Sequence, residues 1–200
     1  MAIEFKKETF RGTTPTIWRG EAKILPGGFK PKQTFATGTI LRRATLLYVD
    51  FESMSAAVIK FGQVLEGGTT QKPRVTKGSY LAVGDVVTKL GTGASTPTIK
   101  SIDTSNDAYD VIELSAAITG LAKGDTLVES ESVEEGTAKE KYVPNMIVGA
   151  DREFNGKGIP AIDAAFEAVV LYPSLNAKIP ETWLNGCCLK SNPNILFIKQ

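Results

Sequence analysis

The chain has 200 residues, 42% of them hydrophobic and 22% charged, with a net charge of +1. That is the composition of a globular protein large enough to bury a core without a metal or disulfide staple. The near-neutral balance excludes a whole-molecule field for nucleic acid or membrane, and no apolar run approaches the roughly 18 residues of a helical membrane span. Charge is unevenly spread. Residues 1–43 hold nine Lys/Arg against three Asp/Glu, and residues 129–153 hold seven acids against three bases.

Residues 1–34 are basic, dotted with Phe5, Phe10, Trp18 and Phe29, and broken by Pro15, Pro26-Gly27-Gly28 and Pro31. Such a segment cannot hold a long helix and reads as an extended arm. Residues 35–130 read as a β-barrel-like domain of short strands between turn residues. The expected strands are Thr39–Leu41, Thr45–Val49, Ala57–Phe61, Tyr80-Leu81, Val86–Thr88, Thr98–Ile102, Tyr109–Leu114 and Thr126–Val128. Three of them begin alike, at Gly38-Thr39, Gly84-Asp85 and Gly124-Asp125, spaced by 46 and 40 residues. Glycine supplies the backbone freedom of a tight turn there, and the Asp or Thr oxygen caps it.

Residues 131–141 are polar and read as a linker, and residues 142–200 as a smaller C-terminal α+β unit. Within that unit Asn155-Gly156 signals a turn after Arg152–Phe154. The run 161–171 mixes helix-favouring alanines with strand alternation, and the closing Val169-Val170-Leu171-Tyr172-Pro173 tips it to strand. Pro180 to Gly186 predicts a short helix, and Asn194–Ile198 a last strand. The fold class expected is therefore mostly β, a barrel-like centre between an arm and an α+β unit.

The chain has no histidine, which removes the commonest general base and metal ligand and every Ser/His or Cys/His pair. The adjacent Cys187 and Cys188 cannot supply a tetrahedral zinc set and read as reduced, packed thiols on a strand. Gly91–Thr96 has no helix behind it to hold a phosphate. Asp103, Asp107 and Asp110 cluster like a cation site but lack EF-hand spacing, and a tight turn explains them. Paired carboxylates are the one catalytic device that needs no histidine, and nothing marks a pair. These readings lead to a non-enzyme with no cofactor and no small-molecule substrate. The arm's aromatics Phe5, Phe10 and Trp18, with Arg19, are the candidate interface residues: anchors on a neighbouring subunit rather than a stacking platform for nucleic acid.

The segments Val143-Pro144-Asn145-Met146-Ile147-Val148-Gly149, Ile162–Leu171, Trp183-Leu184 and Leu189–Ile195 resemble head-fibre or head-decoration proteins of tailed bacteriophages and prophages. Lys77-Gly78, Val83–Val87 and Ile102–Asn106 are similar to the barrel part of the same group. The resemblance runs from about residue 35 to the C-terminus. It implies a virion structural protein, made in the bacterial cytoplasm and located on the capsid surface. Its implied partners are the phage major capsid protein and further copies of itself, trimers being common in the group. The alternative is a fibre-like adhesin that recognises a cell-surface glycan.

Overall fold

A computed structural model describes residues 17–25, 28–91, 95–131, 138–155, 161–175 and 177–199. Its strands, in chain order, are β1 (Lys23–Ile24), β2 (Lys30–Pro31), β3 (Thr39–Leu41), β4 (Leu46–Asp50), β5 (Ser55–Val58) and β6 (Phe61–Leu65). There follow β7 (Arg74–Thr76), β8 (Val87–Lys89), β9 (Ile99–Asp103), β10 (Tyr109–Leu114), β11 (Thr126–Glu129) and β12 (Met146–Val148). The last are β13 (Arg152–Phe154), β14 (Ala164–Leu171), β15 (Leu184–Asn185), β16 (Cys188–Leu189) and β17 (Asn192–Ile198). Two 3-10 turns, Tyr172–Ser174 and Glu181–Trp183, are the only helical elements among the described residues. The protein is mostly β, as its alternating patterns require.

The strands form two curled sheets and a small ribbon. A nine-stranded sheet runs β15-β16-β17-β14-β12-β4-β5-β2, with β1 paired to β14 off that path. A six-stranded sheet runs β8-β11-β6-β7-β10-β9, and β13 pairs with β3. The chain leaves the nine-stranded sheet for the six-stranded one at Ile59-Lys60, and β12 follows β11 back in the nine-stranded sheet. The single strand expected at Ala57–Phe61 therefore divides, because Ile59-Lys60 is the point of crossing. One hydrophobic cluster straddles the junction, gathering Leu46, Ile59, Phe61, Val128, Trp183 and Ile195. Phe61 meets Trp183 edge to face at 5.3 Å. Burying side chains of this size is worth about 1.5–3 kcal/mol each.

Among the described residues no α+β unit forms at the C-terminus. Residues 142–199 instead supply β12 and β14–β17 to the sheet that holds β2, β4 and β5. The alanine-rich run is a strand because its backbone is shared by neighbours. Its 168–171 stretch pairs with β17 in parallel, and Ala164 and Ala165 pair with β12. The helix expected at 180–186 shrinks to one 3-10 turn. Leu184-Asn185 pairs with Cys188-Leu189 around Gly186, whose φ of 62° suits the first position of a type II′ turn.

The expected strand at Tyr80-Leu81 is absent, since Tyr80 has φ 57°, outside the extended region. The repeated starts, in contrast, are three matching turns. Backbone N–H groups of Thr39, Asp85 and Asp125 donate to the carbonyls of Ala36, Ala82 and Ala122 at 3.0–3.1 Å. The intervening Gly38, Gly84 and Gly124 have φ of 87°, 93° and 91°. In the latter two turns the Asp carboxylate also accepts from the first residue's N–H at 2.7 Å. Residues 36–39, 82–85 and 122–125 thus share the pattern Ala-x-Gly-Asp/Thr because each closes the same type II turn.

Candidate functional site

Residues 17–25 lie antiparallel along β14 as an added edge, and Phe29 continues the pairing at Ile162. Arg19 N–H donates to Val169 O at 2.8 Å, Leu171 N–H to Ile17 O at 2.8 Å, and Leu25 N–H to Ala164 O at 2.9 Å. Phe29 and Ile162 exchange both backbone bonds, at 2.8 and 2.9 Å. Room for this segment is made at Gly149, where a β-carbon would stand 2.9 Å from Ile24 Cγ1. Lys23 adds an exposed ion pair to Glu167 at 2.8 Å.

The described part of the arm is therefore extended, and it is folded onto its own chain. Trp18 bridges Val170 and packs, half-buried, against the cluster at the sheet junction. Arg19 is exposed. Phe5 and Phe10 lie outside the described residues, so the structure brings together only Trp18 and Arg19 of the four candidates. Among the described residues no strand pairs with the outer side of β1.

The β2 end of the nine-stranded sheet is closed differently. Gln33 donates its Nε2–H to Val58 O and accepts Val58 N–H at Oε1, each at 2.7 Å. A side-chain amide thus continues the pairing that β2 begins on β5, blunting that edge. Asn145 does the same for Val49, accepting its N–H at 2.7 Å and donating to its carbonyl at 2.9 Å.

Ile17, the first described residue of the arm, lines a cavity of about 80 Å³ between the two sheets. Its floor is apolar (Leu46, Ile59, Phe61, Ile179) and its rim carries Arg42, Arg43 and Tyr80. Ala44 and Tyr80, both in its wall, hold left-handed backbone at φ 63° and 57°. Each such residue costs about 1 kcal/mol. The Tyr80 hydroxyl offsets part of that by donating to Ile40 O and accepting from Arg42 N–H, both at 3.3 Å. Arg43 faces Asp151, with Nε to Oδ2 at 3.5 Å and backbone N–H to Oδ1 at 2.7 Å.

No family model, curated protein or solved structure matches this chain.

An aromatic pair stands on the β4 side of the nine-stranded sheet. Tyr48 and Tyr142 stack with centroids 5.3 Å apart, and Lys32 Nζ lies 5.4 and 6.0 Å from the two rings. Lys32 also pairs with Asp50 at 3.0 Å. The Asp50 carboxyl is held well below the usual carboxylate range, first by the Ser53 hydroxyl at 2.7 Å and then by Lys32. Sequence reasoning missed this group because its members come from residues 32, 48, 50 and 142, which only the sheet order brings together.

Two of the three clustered carboxylates have partners within the protein. Asp110 is buried and takes Lys77 Nζ at 2.6 Å. Asp103 accepts Ser105 N–H at 2.9 Å, a bond that lowers its pKa. Asp107 is exposed. Among the described residues no three His, Cys, Asp or Glu gather as metal ligands. Residues 92–94 of the Gly91–Thr96 loop, residues 132–137 of the linker and Gly156 of the Asn155-Gly156 turn lie outside the described residues.

The packed-thiol reading is corrected at Cys187, which is exposed in the β15–β16 turn; Cys188 is half-buried on β16. A two-residue turn has no interior for its second side chain to enter. Cys188 titrates above the ordinary thiol value, chiefly from desolvation, then from the neighbouring Cys187.

Proposed function

We propose that this chain is a non-enzymatic structural protein of a tailed-phage virion, decorating or projecting from the capsid head. Its partners are the major capsid protein and further copies of itself. In this reading the two curled sheets, with residues 17–34 docked on them, form the body, and residues 1–16 tie that body to the shell. The observation that carries it is the arm. A basic, aromatic segment enters the fold as an edge strand through Trp18, and sixteen further residues with Phe5 and Phe10 precede Ile17. The sequence resemblance to head-decoration proteins points the same way.

Assembly would work by mass action: burying aromatic surface against copies and shell stabilises the assembled state. The test is light scattering after size exclusion on the full chain and on a chain lacking residues 1–16, each with and without capsids. The full chain is expected to self-associate and bind, and the shortened chain to stay folded but lose both. Equal binding by the shortened chain refutes the arm's role.

A second reading, a glycan-binding adhesin, is favoured by the stacked Tyr48 and Tyr142 beneath Lys32. Aromatic faces beside a cation suit a sugar ring and an acidic substituent. Glycan-array binding abolished by Tyr142→Ala, with capsid binding absent, would support it instead.

A further inference from the structure

Trp183 and Glu129 line the same small space where the two larger sheets join, and each has a buried polar atom without a hydrogen-bond partner among the described residues. Trp183 is 3% exposed, and its Nε1 has no hydrogen-bond partner among the described residues. Glu129 is 8% exposed. Its Oε1 accepts Lys141 Nζ at 2.7 Å, but Oε2 has only Lys60 Nζ, at an ion-pair distance of 3.9 Å. That space is about 10 Å³, and Lys60, Lys141 and Tyr142 line it as well.

The chemistry of the two atoms is complementary but one-sided. An indole N–H only donates and a carboxylate oxygen only accepts. A buried atom of either kind is costly to leave unbonded. A space of this size admits one water molecule, which both accepts and donates. A cation fits poorly, because the ammonium groups of Lys60 and Lys141 already face the carboxylate and the indole hydrogen is itself positive.

We propose that this space is a binding site for a single internal water molecule, accepting from Trp183 Nε1–H and donating to Glu129 Oε2. The water joins the segment before the C-terminal hairpin of the nine-stranded sheet to β11 of the six-stranded sheet. It stands beside the Lys60 crossing, where Glu129 N–H donates to Lys60 O at 3.1 Å. The junction is then held by ionic and water-mediated bonds as well as by the apolar cluster.

The experiment uses the full chain labelled with ¹⁵N-tryptophan. Its two indole N–H signals are assigned by Trp18→Phe, and magnetisation transfer from water is recorded for each. A direct dipolar cross-peak between the Trp183 indole and a long-lived water is expected, with a matching density peak about 3 Å from both atoms in a high-resolution crystal structure. Glu129→Gln, of the same shape, is expected to shift the Trp183 indole signal, and Trp183→Phe to remove the density peak. A Trp183 indole bonded directly to a protein oxygen, or the absence of both cross-peak and density in the unmodified chain, overturns the proposal. Both decisive readouts come from the unmodified chain, so a variant that fails to fold does not leave the question open.

Discussion

Asp85 and Asp125 occupy the same place in two matching turns, yet removing them should have unequal costs. Asp85 accepts Ala82 N–H at 2.7 Å and both holds and neutralises Lys60 Nζ at 2.7 and 2.8 Å. The Lys60 and Asp85 side chains are only 11% and 14% exposed. Asp125 accepts Ala122 N–H at 2.7 Å and Lys89 Nζ at 2.7 Å, with side chains 23% and 21% exposed. Asp85→Ala strands a nearly buried ammonium whose remaining carboxylate, Glu129, is 3.9 Å away. Breaking a buried pair from one side costs about 3–5 kcal/mol, and the low end applies because Glu129 remains. In Asp125→Ala, Lys89 keeps Gly120 O at 3.0 Å and partial access to water, so the cost falls to about 1 kcal/mol.

Urea unfolding followed by tryptophan fluorescence and circular dichroism gives both values, coincident transitions establishing that two states suffice. At about 2–4 °C per kcal/mol for a chain of this length, Asp85→Ala should lower Tm by about 6–12 °C, and Asp125→Ala by about 2–4 °C. Lys60→Met combined with Asp85→Ala should recover part of the loss, since no charge is then stranded. Equal costs for the two alanine variants, or less than about 1 kcal/mol for Asp85→Ala, would refute this account of the junction.

Gly84→Ala and Gly124→Ala each force a side chain into left-handed backbone with open space around it, so both should cost about 1–2 kcal/mol in the same unfolding assay. Asp50 should titrate by NMR with a midpoint below 3.8, and Ser53→Ala should raise it, the Ser53 hydroxyl being the largest cause. A carboxyl held low in the folded state stabilises above its unfolded value, so the Asp50 contribution should be lost only as pH falls below about 4. A disulfide reagent should label the exposed Cys187 quickly and the half-buried Cys188 slowly; equal rates would contradict the placement of the turn.

Local patterns were the legible part of this fold. Tyr109–Leu114 alternates half-buried and buried positions along its whole length, as its sequence alternation requires. The Gly-Asp starts were readable because one turn type demands both residues. Pairings between distant segments were not readable. Residues 17–25 and Phe29 find residues 162–171, and residues 184–198 close a sheet begun before residue 60, through backbone bonds that carry no side-chain signature. For that reason the C-terminal segment read as a unit of its own, with a helix the sheet does not permit. Arg74–Thr76 passed unnoticed because only Val75 is apolar, between Pro73 and Gly78. Of the candidate site, the basic aromatic arm was visible in the sequence, but its docking on β14 and the Lys32–Tyr48–Tyr142 group were not.

The central claim, that this is a capsid-binding structural protein acting through its arm, is tested most directly by cosedimentation with assembled capsids. The full chain should pellet with the shells at a saturating ratio to capsid subunits, and a chain lacking residues 1–16 should remain in the supernatant while giving the same circular dichroism spectrum. A full-length monomer that ignores capsids, or a shortened chain that pellets as well as the full one, would contradict it.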